Sequence, residues 1–125
     1  MVKKILCVED NPMNIELIED LFRAKGYEVD SIGRGDEVLD VMKKSKPDLV
    51  LLDMQLPGMD GYMVARWLKS EDSTKDVPII AVTAYASLYS REKAINAGCN
   101  EYMGKPIDTH KLVEMVKDFI GTANG

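Results

Sequence analysis

Short apolar runs and helix-like segments alternate five times along this chain of 125 residues. The runs at residues 49–52 and 78–82 are apolar at every position rather than at every second one. Strands that are apolar on both faces are typical of the centre of a parallel sheet with helices on each side. The alternation therefore predicts an α/β domain built from βαβ units.

The segments between the strands have the spacing of amphipathic helices. Asn11 can cap the first helix, and Pro12 suits its first turn. The third predicted helix places four apolar residues on one face, which are Met63, Val64, Trp67 and Leu68. We therefore expect Trp67 in the core. The fourth predicted helix, within residues 88–97, has only a thin apolar stripe, which makes it a candidate moving part.

Size, charge and cysteine content limit the function classes. The length fits one domain over residues 1–121 with a frayed tail at 122–125. A net charge of -5 and the lack of a Lys/Arg run argue against direct nucleic-acid binding. We expect no secretory leader, because the first apolar run is only four residues long, and no apolar run reaches membrane length. Cys7 and Cys99 favour reduced, buried thiols over a disulfide or metal pair. We thus expect a cytoplasmic protein without membrane contact.

Polar side chains follow the predicted strands at the points where the strands end. Glu9 and Asp10 follow the first strand, Asp53 the third, Thr83 the fourth and Lys105 the fifth. Parallel α/β sheets bind ligands at the carboxyl ends of their strands, so these side chains should converge on one pocket. Three carboxylates repel one another strongly unless a hard cation lies among them. The cluster predicts a Mg²⁺ site with a lysine and a threonine beside it.

Asp53 could serve as a metal ligand, a helix cap or a nucleophile. The cap is disfavoured because the next predicted helix begins several residues later. Beside Asp10 and Lys105, an aspartate is suited to attack phosphorus and form an acyl phosphate. Mg²⁺ and Lys105 would neutralise charge during the transfer. Thr83 would donate a hydrogen bond to the new phosphoryl oxygen, and Ala84 would offer its backbone N–H.

With these residues in this order, the chain resembles the receiver domain of two-component response regulators. The resemblance covers residues 4–120 and rests on the motifs Val8-Glu9-Asp10-Asn11, Leu52-Asp53-Met54, Leu56-Pro57, Asp60-Gly61, Thr83-Ala84 and Lys105-Pro106. It implies a flavodoxin-like (βα)5 three-layer sandwich, with strands numbered along the chain lying in the order 2-1-3-4-5. It also implies that Asp53 accepts a phosphoryl group from a histidine kinase or a histidine phosphotransfer protein.

The resemblance also implies how the pocket is divided among residues. Asp10 and Asp53 would bind Mg²⁺ directly, the backbone carbonyl of Gln55 would complete the protein's ligands, and Glu9 would act through water. Backbone groups of Ala84 and Met54 would contact the phosphoryl group.

Thr83 and Tyr102 would act as a switch, with the aromatic ring turning inward when the threonine closes on the phosphoryl group. An edge-strand aromatic that packs on the fourth helix is the alternative for Tyr102. The Lys105–Pro106 bond resembles the family's cis peptide. A bulky Tyr85, two residues past Thr83, could shield the acyl phosphate from water, which favours a long-lived phosphorylated state.

These features together predict a stand-alone response regulator, similar to cell-cycle regulators that act on kinases. Receivers cut from hybrid kinases have similar sequences. It would be no enzyme beyond its own phosphorylation and slow autodephosphorylation. A downstream protein would dock on the face formed by helix 4, strand 5 and helix 5, and the chain would be a monomer or a weak phosphorylation-dependent dimer.

Two other classes share parts of this pattern. A flavodoxin-like cofactor binder needs a phosphate-cradling loop after the first strand, but the loop Glu9-Asp10-Asn11-Pro12 is anionic and repels phosphate. A haloacid-dehalogenase-like phosphatase expects a second aspartate two residues after the nucleophile, where this chain has Gln55. Phosphorylation by acetyl phosphate with Mg²⁺ would discriminate among the three.

Overall fold

The computed structural model describes residues 1–56, 58–84 and 86–124. Within these ranges there are seven strands, which are β1 (Lys4–Val8), β2 (Glu28–Ile32), β3 (Leu49–Asp53), β4 (Gln55–Leu56), β5 (Met59–Asp60), β6 (Ile79–Thr83) and β7 (Glu101–Gly104). The main sheet is parallel and has the order β2-β1-β3-β6-β7. The short strands β4 and β5 form a separate antiparallel hairpin. The predicted order of the five main strands is confirmed.

The described ranges also contain five α-helices, which are α1 (Pro12–Arg23), α2 (Val38–Ser45), α3 (Gly61–Ser70), α4 (Leu88–Asn96) and α5 (Thr109–Ile120). Asn11 caps α1 as predicted, because its side chain accepts from the N–H groups of Met13 and Asn14. A 3₁₀ turn over Gly35–Glu37 precedes α2. No helix in these ranges is both long and apolar enough to cross a membrane.

Side chains from the two faces of the sheet form two separate cores. Leu6 and Val8 of β1 belong to one core, which α2, α3 and α4 cover. Ile5 and Cys7 of the same strand belong to the other, which α1 and α5 cover. This alternation is the two-residue period of a β-strand, and it explains why the central strands are apolar at every position. The predicted three-layer sandwich is confirmed.

The prediction that Trp67 lies in the core is wrong. Its exposed fraction is 42%, whereas Val64 and Leu68 are buried. Both pairs, 63/67 and 64/68, have helical spacing, so their positions in the sequence do not decide which pair faces the sheet. The packing of α3 on the sheet decides it, with Val64 and Leu68 in the core. At the start of the helix, a Cβ at Gly61 would lie 2.6 Å from Met54 Cα, so glycine alone permits this close approach.

The C-terminal segment also differs from the frayed tail expected at residues 122–125. Ala123 is buried, and its carbonyl accepts a hydrogen bond from Lys3 N–H at 2.8 Å. The Tyr27 hydroxyl donates to the carbonyl of Gly121, which has a positive φ. These bonds hold the segment against the second core as far as Ala123. Gly125 lies outside the described residues.

Candidate functional site

The register of the sheet brings the predicted site residues to one edge. Val8 pairs with Leu52, Asp53 pairs with Val82, and Thr83 pairs with Gly104. The carboxyl ends of β1, β3, β6 and β7 are therefore level, and the residues that end or follow these strands are neighbours. This is the edge at which parallel α/β sheets bind ligands.

Three carboxylates meet at this edge. Glu9, Asp10 and Asp53 each offer an oxygen, and these oxygens lie within 4.8 Å of one another. Glu9 and Asp53 are buried, whereas Asp10 is exposed. Backbone N–H groups hold the buried pair in place, with Asn11 donating to Glu9 Oε1 at 3.1 Å and Gln55 donating to Asp53 Oδ1 at 2.9 Å. The oxygens of this cluster are the hard ligands that suit Mg²⁺.

Lys105 lies between the two buried carboxylates. Its Nζ is 2.9 Å from Glu9 Oε2 and 3.1 Å from Asp53 Oδ2. Burial alone lowers the pKa of Lys105, but hydrogen bonds and charge from Glu9 and Asp53 outweigh it, so the pKa is raised. The ammonium therefore stays charged and offsets the repulsion between the carboxylates. The sequence did not predict the contact between Lys105 and Glu9, because Glu9 was assigned only to the metal site.

Gln55 connects the β4 segment to the end of β6 through its side chain. Gln55 Nε2 donates to Thr83 Oγ1 at 2.6 Å, and Ala84 N–H donates to Gln55 Oε1 at 3.1 Å. The resemblance implied a role for the backbone carbonyl of Gln55 at the metal, but not this bridge from its side chain. The sequence feature that could have indicated this bridge is the long amide side chain two residues after Asp53.

The phosphoryl contact predicted for the backbone of Met54 stays a prediction, and in the unphosphorylated protein its N–H belongs to the sheet. This N–H donates to the carbonyl of Val82 at 3.0 Å, because Met54 continues the pairing between β3 and β6. The next N–H along the chain, that of Gln55, points instead to the carboxylate of Asp53.

Tyr102 links β7 to the start of α4. The backbone N–H of Ser87, the N-cap of α4, donates to the Tyr102 hydroxyl at 3.3 Å. Gly104 permits a close approach there, because a Cβ at this position would lie 2.6 Å from Ala86 Cβ. On α4 itself, Ala94 is the one described residue that is buried. The thin stripe predicted for this helix is thus confirmed.

Two smaller expectations concern the loops around the site. The Lys105–Pro106 bond is cis, as the resemblance implied. Tyr85 and Pro57 lie outside the described residues, so the shielding of an acyl phosphate by Tyr85 stays a prediction.

Comparison with known proteins agrees with this fold and site. The family model described as the response regulator receiver domain matches residues 5–117. The polar-differentiation response regulator DivK of Brucella anthropi is 41% identical over 123 residues, which are 98% of this chain and 100% of that protein.

Solved structures give the same result. The receiver domain of the sensor histidine kinase PA1611 of Pseudomonas aeruginosa, with a magnesium ion coordinated in its active-site cleft, aligns with a TM-score of 0.88 at 35% identity and covers 98% of this chain and 100% of that one. The BeF3-activated N-terminal receiver domain of Klebsiella pneumoniae RstA aligns with a TM-score of 0.86 at 31% identity and covers 94% of this chain and 97% of that one. The chain therefore belongs to the family of response regulator receiver domains of two-component signalling.

Proposed function

We propose that the chain is a stand-alone response regulator in which Asp53 accepts a phosphoryl group from a phosphohistidine. The donor would be a histidine kinase or a histidine phosphotransfer protein. The observation that carries this proposal is the position of Asp53, whose carboxylate lies 3.1 Å from Lys105 Nζ within an acidic cluster at the ligand-binding edge of the sheet. No other described aspartate or glutamate is placed in that cluster besides Glu9 and Asp10.

In the transfer, an Asp53 oxygen forms a bond to phosphorus, and the bond between phosphorus and the donor imidazole nitrogen breaks. The electron pair of that bond stays on the imidazole, which takes up a proton. The reaction depends mainly on positioning and charge neutralisation. The Gln55 N–H orients the carboxylate from one side, and Lys105 neutralises charge from the other.

The donor set of the cluster fits a magnesium ion. Asp10, Asp53 and the backbone carbonyl of Gln55 would hold Mg²⁺, and Glu9 would reach it through water. Bound there, the ion would neutralise charge that develops on the phosphoryl oxygens. The exposed carboxylate of Asp10 supports this role, because it is the member of the cluster that Lys105 does not contact.

The phosphoryl group would be bound by Thr83 and Ala84, which lie at the end of β6 beside the acceptor Asp53. Closure of Thr83 would couple to Tyr102, whose hydroxyl accepts a hydrogen bond from the backbone N–H of Ser87, the N-cap of α4. The face formed by α4, β7 and α5 would then change its affinity for a downstream protein or for a second copy of the chain. The chain would act in the cytoplasm and, apart from its own phosphorylation and slow autodephosphorylation, would not be an enzyme.

The test is transfer from a radiolabelled histidine phosphotransfer protein with Mg²⁺. The wild type should gain one acid-stable, base-labile label, and Asp53→Asn should gain none. Asp60→Asn is the matched control, because Asp60 caps α3 on the same loop and asparagine caps equally well. Labelling of Asp53→Asn at the wild-type rate would contradict the proposal.

A further inference from the structure

The side-chain amide of Gln55 forms two hydrogen bonds at the end of β6 at the same time, one with the Thr83 hydroxyl and one with the Ala84 N–H. A backbone N–H can only donate, so the atom that faces Ala84 is the Oε1 oxygen, and the Nε2 nitrogen must face Thr83. The orientation of the amide is therefore fixed by its partners. The two bonds, at 2.6 Å and 3.1 Å, close a bridge between β4 and the end of β6.

The bridge engages the Thr83 hydroxyl and the Ala84 N–H, which are the two groups that a phosphoryl group on Asp53 would contact. The Ala84 N–H has one proton, so a phosphoryl oxygen that accepts it must displace Gln55 Oε1. The Thr83 hydroxyl accepts from Gln55 Nε2, and a hydroxyl can accept and donate at the same time, so the direct competition is for the Ala84 N–H. Gln55 is also tied to the acceptor, because its own N–H donates to Asp53 Oδ1 at 2.9 Å. The resting contact and the phosphorylated contact of the Ala84 N–H therefore cannot coexist.

We propose that the Gln55 side chain is an autoinhibitory latch. In the unphosphorylated protein it holds Thr83 and Ala84 in the resting arrangement, and it has to release the Ala84 N–H before this group binds the phosphoryl group. This inference rests on the proposed function of Asp53. The latch makes Gln55 a positioning residue that raises the threshold for switching, in addition to the role proposed for its backbone carbonyl.

Gln55→Met tests the latch, because methionine has a similar length, keeps the backbone carbonyl and lacks the amide. The probe is beryllofluoride with Mg²⁺, a phosphoryl analogue that binds an aspartate without a covalent transfer. We expect the variant to bind it about five- to tenfold more tightly than the wild type, the size of effect that one or two neutral hydrogen bonds produce. Asp60→Asn, opposite Gln55 in the β4–β5 hairpin, should bind as the wild type does.

A second measurement uses the wild-type protein alone. In its ¹⁵N spectrum, the side-chain amide signals of Gln55 and the backbone signal of Ala84 should both move when beryllofluoride binds. Bound beryllofluoride with an unmoved Gln55 amide, or equal affinity of Gln55→Met and wild type, would overturn the latch and leave the proposed function standing. If the wild type binds no beryllofluoride, the proposed function fails and the latch fails with it.

Discussion

Replacing Lys105 by alanine would leave two buried carboxylates without the cation that lies between them. Glu9 and Asp53 are 2% and 3% exposed, and Lys105 Nζ is 2.9 Å and 3.1 Å from their oxygens. At ~3 Å and an effective dielectric of ~20, each attraction amounts to ~5 kcal/mol before desolvation is subtracted. Desolvation offsets much of this attraction, but removing one partner of a buried pair leaves an uncompensated buried charge and costs about 3–5 kcal/mol. The Lys105 side chain keeps 19% exposure, so we expect a loss of about 3 kcal/mol.

The assay is urea unfolding at neutral pH in the presence of EDTA. Lys4→Ala is the matched control, because Lys4 Nζ also faces two carboxylates, Glu28 and Asp30, but at 3.8 Å and near solvent. Ion pairs of that kind contribute about 0–1 kcal/mol. Adding Asp53→Asn to Lys105→Ala should recover part of the loss, because it removes one of the stranded charges. A loss for Lys105→Ala no larger than that for Lys4→Ala would refute the reasoning.

Three further predictions concern metal, pH and switching. Mg²⁺ at tenfold its dissociation constant should stabilise the wild type by about 1.4 kcal/mol. In EDTA, Asp10→Ala should melt slightly higher than the wild type, but it should lose most of the stabilisation by Mg²⁺. An undiminished stabilisation of this variant by Mg²⁺ would exclude Asp10 as a ligand. The raised pKa of Lys105 means that the folded state holds this proton more tightly than the unfolded state does. The resulting stabilisation of the folded state is complete below the unfolded pKa of 10.5 and is lost as pH rises through the folded pKa. The difference in unfolding free energy between wild type and Lys105→Ala should therefore shrink in alkaline solution, and a constant difference would contradict it. Double substitution of Thr83 and Tyr102 should weaken phosphorylation-dependent partner binding no more than the more damaging of the two single substitutions does. Additive losses would show that the two residues act independently.

The main elements of the fold could be predicted because each left a strong local signal. The strands β3 and β6 are buried at every position, and each is an apolar run up to the polar residue that ends it, Asp53 or Thr83. The cap of α1 was visible for a similar reason, since Asn11 and Pro12 act through the backbone of their own turn. The edge that gathers Asp53 and Lys105 followed from the parallel topology alone.

The features that were missed depend on contacts distant in sequence. Trp67 and Leu68 lie on adjacent stripes of α3, and the packing of the helix on the sheet, rather than the period of the helix, decides which stripe is buried. The contact of Lys105 with Glu9 and the bridge from Gln55 to β6 are rotamer choices, which no residue pattern encodes. The sequence could therefore place the residues of the site at one edge, but not assign their hydrogen bonds.

The most direct test of the central claim is to locate the phosphoryl group chemically. Borohydride reduces an acyl phosphate to an alcohol with loss of phosphate, so a phosphorylated aspartate becomes homoserine. After reaction with acetyl phosphate and Mg²⁺, reduction and peptide mass spectrometry should find homoserine at position 53 alone. A reduced carboxylate at another position, such as Glu9 or Asp10, or an unreduced Asp53 in protein that carries the phosphoryl group, would contradict the account.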